Sequence, residues 1–142
     1  MSKKFFAMVA GLVLVPCNAV AAPAVSLDSA VYVERTRAES RVLEPASRLA
    51  PGDRVVTVVT WRRTNAGGSF VLTNPLPRGL WYQGSAMENE EVSVDGGKTW
   101  GRLGDLRSGN HLATPEDVTH VRWSIASTGA SGRIAYSAIV RR

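Results

Sequence analysis

Arg54-Val55-Val56-Thr57-Val58-Val59-Thr60-Trp61-Arg62-Arg63 is the run that decides the fold class. Valines and threonines dominate it, and β-branched side chains suit a pleated strand. Val55, Val59 and Trp61 share one face at period two, and Val56 and Val58 share the other. Apolar residues on both faces predict a central strand, packed on one side and partly covered on the other. Pro51-Gly52 supplies a turn before it and Asn65-Ala66-Gly67-Gly68 a turn after it.

Working outward, the same alternation recurs. Val25 to Glu34 alternates apolar and polar residues, which predicts a strand with its odd-numbered face buried. Phe70 to Thr73 is a strand stopped by Asn74-Pro75-Leu76-Pro77, because proline cannot donate to a ladder. Leu80 to Ser85, Glu91 to Asp95, Thr99 to Leu103 and Thr119 to Ala126 follow. The last strand carries Ile134, Tyr136, Ala138 and Val140, and Gly129-Ala130-Ser131-Gly132 is read as a hairpin loop leading into it. Thr114-Pro115-Glu116-Asp117 gives the one helical signal, an N-cap with proline at the first position, enough for a single turn. Seven to nine short strands with Gly/Pro turns between them predict an all-β chain, an antiparallel β-sandwich. No repeat of period 20 to 50 is present.

The N-terminus is read as an export signal. Lys3 and Lys4 precede an apolar run from Phe5 to Val15, and Ala19-Val20-Ala21 is a small-x-small cleavage site. That run is too short for a membrane-spanning helix of about 20 residues. Cleavage after Ala21 removes 21 of the 142 residues and leaves 121, numbered 22–142, enough for one domain. The two lysines leave with the signal, so the formal charge falls from +5 to +3. Cys17 is the one cysteine and lies within the signal; Pro16 before it argues against lipidation. The mature chain therefore offers no disulfide and no cysteine metal site, and its expected location is periplasmic or secreted. Its arginines are scattered and not interleaved with aromatics, so no nucleic-acid groove is expected. No second apolar stretch is long enough to anchor the mature chain in a membrane.

Ser93-Val94-Asp95-Gly96-Gly97-Lys98-Thr99-Trp100 fits S-x-D-x-G-x-T-W at every fixed position. It resembles the Asp-box of bacterial sialidases and related β-propellers, where the motif is scaffold rather than active site. A propeller needs at least four four-stranded blades, more than 121 residues supply. Ser93, Asp95, Gly97, Thr99 and Trp100 are therefore read as a structural turn: Asp95 accepts backbone N–H groups, the glycines permit positive φ, and Trp100 packs in the core.

Other motifs point elsewhere. Pro51-Gly52-Asp53-Arg54-Val55-Val56, Thr73-Asn74-Pro75-Leu76-Pro77-Arg78-Gly79, Gly84-Ser85-Ala86, the Asp-box run, Asp117-Val118-Thr119-His120-Val121-Arg122-Trp123 and the closing strand come in an order that resembles small exported alphaproteobacterial proteins. Those proteins are related to the conserved-repeat "domain of unknown function eleven". The resemblance spans Val25 to Arg141, departs at Trp61-Arg62-Arg63-Thr64-Asn65, and implies an immunoglobulin-like envelope module. It carries over no catalytic or ligand residue.

Candidate chemistry is sparse. Glu88, Glu90, Glu91 and Asp95 form an acidic cluster, but alternation puts Glu90 on the opposite face from Glu91 and Asp95, where calcium needs six to eight converging oxygens. Glu116 and Asp117 are read as first-turn acids of the helical signal. His111 falls in a loop, and His120 alternates out of phase with Val121 and Trp123. Ser85 lacks a nucleophile-elbow setting. The sequence thus calls for no catalytic residue, no metal and no cofactor. Trp81 and Tyr32, out of phase with their strands' core positions, are the candidate partner contacts; Trp61 and Trp123 are read as core. The expected function is a non-enzymatic interaction or structural module with a protein or glycan partner. The alternative is a carbohydrate-binding or glycosidase-accessory protein built on the Asp-box region.

Overall fold

The computed structural model describes residues 25–64, 67–126 and 129–142. The export signal, Cys17, and Asn65-Ala66 of the turn after Arg63 lie outside the described residues. The valine-rich run is strand β3 (Arg54–Arg63), and its faces sort as its sequence dictates: Val55, Thr57, Val59 and Trp61 are buried, while Val56 and Val58 are half-buried. Around it lie β1 (Val25–Arg37), β2 (Ser40–Pro45), β4 (Ser69–Pro75), β5 (Leu80–Ser85), β6 (Glu90–Ser93), the two-residue β7 (Arg107–Ser108) and β8 (His111–Leu112), β9 (His120–Ala126) and β10 (Ser131–Val140). Pro115–Asp117 is a single 3-10 turn, where the Thr114 N-cap placed a helical start.

The strands form an antiparallel five-stranded sheet, β2-β1-β3-β10-β5, and a three-stranded one, β4-β9-β6, with β7 and β8 as a separate ribbon. The two larger sheets pack as a β-sandwich. Phe70 of β4 meets Trp61 of β3 edge-on at 5.1 Å, and Asn74 of β4 donates to the Tyr136 hydroxyl of β10 at 2.8 Å. Trp123 of β9 lies 5.8 Å from the Tyr136 ring and donates to Ser85 Oγ at the end of β5. Tyr82 of β5 bonds Glu90 of β6. So β4 covers β3 and β10, β9 covers β10, and β6 lies over β5. Between the layers sit Val33, Val55, Val59, Trp61, Leu72, Val121, Trp123, Ile125, Tyr136 and Ala138, all at least nine-tenths buried.

Four expectations are corrected. First, Leu27 and Val31 do point to the inner side of the large sheet, opposite Trp61 and the buried Thr57, yet they are 50% and 37% exposed. The three-stranded sheet is too narrow to reach them, so only Val33 of that face is fully buried. Second, Thr99 to Leu103 is not a strand. One bridge, Val92 with Gly101, joins it to β6 before Asp105 N–H turns back onto the Arg102 carbonyl. Third, residues 129–132 do not close a hairpin: β9 and β10 belong to different sheets, so the chain crosses between layers there, and Ser131 and Gly132 already pair with Arg62 and Trp61. Fourth, Trp100 is half-buried outside the core, because its indole is drawn onto the outer face of the small sheet.

Strand β2 was not expected from the sequence. Its turn, Ala38-Glu39, joins Arg37 to Ser40 and holds φ of 45° and 71°, where Gly, Asn or Asp is the usual occupant. A left-handed alanine costs about 1–2 kcal/mol. The double substitution Ala38→Asn/Glu39→Gly is therefore expected to raise stability by about 1 kcal/mol, read by chemical denaturation. A loss of stability would contradict the turn geometry.

Candidate functional site

The Ser93–Trp100 run folds into a turn that satisfies itself. Asp95 Oδ1 accepts from Ser93 Oγ at 2.8 Å and from the N–H groups of Lys98 and Thr99 at 3.0 and 2.9 Å; Oδ2 accepts from the Thr99 hydroxyl at 2.6 Å. Ser93, fully buried, takes the Gly97 N–H at 2.9 Å, and Gly97 sits at φ 90°, which its missing Cβ permits. The Trp100 indole N–H returns to the Gly97 carbonyl at 3.0 Å. Thr119, which the sequence did not single out, ties the turn to the start of β9: its N–H and hydroxyl both donate to the Ser93 carbonyl, and its hydroxyl accepts from Gly96 N–H. Outside the turn, Arg122 stacks 4.5 Å over the Trp100 ring and pairs with Glu91 at 2.7 Å, and His120 meets Trp100 edge-on. All the hydrogen bonds found for Asp95 among the described residues stay within residues 93–99.

The Thr99 hydroxyl and N–H, then Ser93 and the Lys98 N–H, hold the Asp95 carboxyl well below the usual carboxylate range. Because the folded form favours the ionised acid, this contribution is complete above the ordinary aspartate value of about 4 and fades as pH falls below it. Asp95→Asn is expected to melt at a lower temperature than the wild type near neutrality, with the gap closing on acidification toward about pH 2. Melting curves that stay parallel across that range would contradict this role.

The remaining predicted contacts do not converge. Tyr32 and Trp81 both lie on the outer face of the five-stranded sheet, on β1 and β5, with β3 and β10 between them and offset along the strands as well. Both are half-buried; Arg141 stacks 5.7 Å from the Trp81 ring. Glu90 and Glu91 point to opposite sides, as alternation requires, the first to Tyr82 and the second to Arg122. Asp117 accepts from Thr114 N–H and lies 3.0 Å from the exposed His111. Among the described residues no three His, Asp or Glu side chains gather as a metal site, and no helix is long and apolar enough to cross a membrane.

A different feature stands out at the other flank of the sandwich. Strand β4 is an edge of the small sheet, hydrogen-bonded to β9 on one side only. Beyond it, the large sheet continues through β1 and β2, and among the described residues no strand lies across from them. Leu27 and Val31 of β1 and Val42 of β2, which shares their face through its pairing with Arg35, stand 50%, 37% and 39% exposed. Leu27 and Val31 thus form a short apolar shelf alongside the β4 edge, while Val42 lies farther along the same face, past the covered Val33 and among Arg35, Arg37 and Glu44. The other edges are guarded in the ways proteins use against unwanted pairing. Strand β2 carries Arg41 and Glu44, β6 carries Glu90 and Glu91, and β5 meets an irregular register with β10 and packs beside the 3-10 turn. Strand β4, Ser69-Phe70-Val71-Leu72-Thr73-Asn74-Pro75, has no charge at all.

No family model, curated protein or solved structure matches this chain. The shelf was hidden from the sequence because its residues alternate like any core strand; only the relative width of the two sheets exposes them.

Proposed function

We propose that this chain is an exported, immunoglobulin-like module of the cell envelope, periplasmic or secreted, that works by binding rather than by catalysis. Its partner is an extended segment of another protein. That segment adds to the free edge of β4 by main-chain hydrogen bonds and lays alternate apolar side chains over Leu27 and Val31. The observation that carries this reading is the pair of exposed apolar side chains, Leu27 and Val31, on the inner face of β1 beside an uncharged strand edge that pairs with no other strand among the described residues. Strand addition needs both parts: the edge supplies affinity through backbone groups, and side-chain pockets at period two supply selectivity.

The test is selection of binding peptides from a random displayed library. Selected peptides are expected to alternate apolar and polar residues and to shift the amide resonances of Ser69–Pro75. Leu27→Asp/Val31→Asp places charge on an already exposed face, so its stability should change by less than about 1 kcal/mol, while peptide affinity falls at least roughly tenfold. Peptides that map away from β4, or a wild-type homodimer dispersed by the double substitution, would overturn the reading.

A further inference from the structure

The flank opposite the shelf holds a cleft of about 390 Å³ between the edge of β5 and β6 with the Gly101–Leu103 segment bridged to it, within the size range of small-ligand sites. Its floor is the buried Tyr82 and Val92, with Leu103 on one wall; Glu88, Glu90 and Arg102 stand around it. The Tyr82 hydroxyl donates to Glu90 Oε2 and fixes that carboxylate in place. Burial, then the anionic Glu90 beside it, pushes the Tyr82 phenol far above its ordinary range, so it remains a donor. Glu90 is half-buried, yet no Lys, Arg or His among the described residues lies within ion-pair distance of it or of Glu88, and Arg102 on the same cleft pairs with neither. A carboxylate partly withdrawn from water is offset best by a cation. Here the position for that cation faces an open, partly apolar cavity.

We propose that this cleft binds a primary ammonium group at the end of a methylene chain, with Glu90 as its fixed partner, Glu88 as the second carboxylate and Val92 and Leu103 along the chain. Two sources share that chemistry, a free aliphatic diamine and a lysine side chain presented by a protein. The site is independent of the β4 edge.

The full chain would be titrated with 1,5-diaminopentane, with Nα-acetyl-lysine methylamide and with neutral pentane-1,5-diol, following backbone amide resonances at physiological salt. Both amines are expected to shift Gln83, Gly84, Gly101 and Leu103 at millimolar concentration, and the diol is not. Tighter binding of the diamine assigns the site to a free amine, and tighter binding of the lysine derivative assigns it to a protein side chain. Glu90→Gln keeps an acceptor for Tyr82, so it should fold normally and weaken both amines by roughly tenfold or more. Equal shifts with the diol, no loss in Glu90→Gln, or no shift at all would overturn the proposal.

Discussion

Trp123→Ala is expected to destabilise the protein by about 4 kcal/mol and to lower its melting temperature by on the order of 10–20 °C. Trp123 is fully buried on β9, stacks obliquely on Tyr136 at 5.8 Å, and gives its indole N–H to Ser85 at 3.2 Å. It is the largest fully buried side chain and bridges the small sheet to both β10 and the end of β5. Truncation leaves a cavity that neither sheet can close, because each is held by its own ladder. Trp123→Phe keeps most of the volume and loses the hydrogen bond, so about 1–2 kcal/mol is expected. A cost below about 1 kcal/mol for the alanine variant would mean that the two sheets do not meet at this residue.

Gly132→Ala is expected to cost about 3 kcal/mol, though it adds one methyl group. A Cβ at Gly132 would lie 2.5 Å from Cζ2, 2.7 Å from Cε2 and 2.8 Å from Nε1 of Trp61. Trp61 is buried, directly opposite Gly132 in the β3–β10 ladder, and held by Phe70 at 5.1 Å. Its ring covers the glycine because nothing projects there. Relief requires the ring to turn or β10 to move, and each disturbs the core. Trp61→Phe removes the overhanging part of the ring, so the double variant should recover part of the loss, a coupling that a double-mutant cycle reads directly. Additive costs would contradict the contact.

Glycine at 132 illustrates where the sequence informs and where it stops. Its place in a Gly-Ala-Ser-Gly run suggests a turn, but its role is to admit a tryptophan from the neighbouring strand, which depends on register. The strands themselves were legible: Arg54–Arg63 and Leu80–Ser85 match their sequence bounds, and the alternation of Val121, Trp123 and Ile125 sets the buried face of β9. The turn at Ser93–Trp100 was legible in its internal bonds, since every hydrogen-bond partner of Asp95 among the described residues lies within four residues. Its anchor Thr119 was not, because that contact spans 26 residues. Trp100 was misplaced because a lone aromatic after a turn carries no periodicity; Arg122 and Glu91 on adjacent strands decide where its ring goes. The left-handed Ala38-Glu39 turn broke the usual turn chemistry, and with it the one clue to β2. Missing β2 also concealed how far the large sheet outreaches the small one. The shelf of Leu27 and Val31 is a property of two sheets of unequal width, invisible in any single strand.

That shelf and the bare edge of β4 carry the functional account, and they separate two faces of one strand. A photo-cross-linking residue placed singly along β1, in cells producing the full chain, reads the difference. Discrete adducts are expected at positions 27 and 31, on the inner face, mapping to a single partner segment, and none at positions 28 and 30 on the outer face. Adducts of equal yield on both faces, or none at 27 and 31, would contradict it.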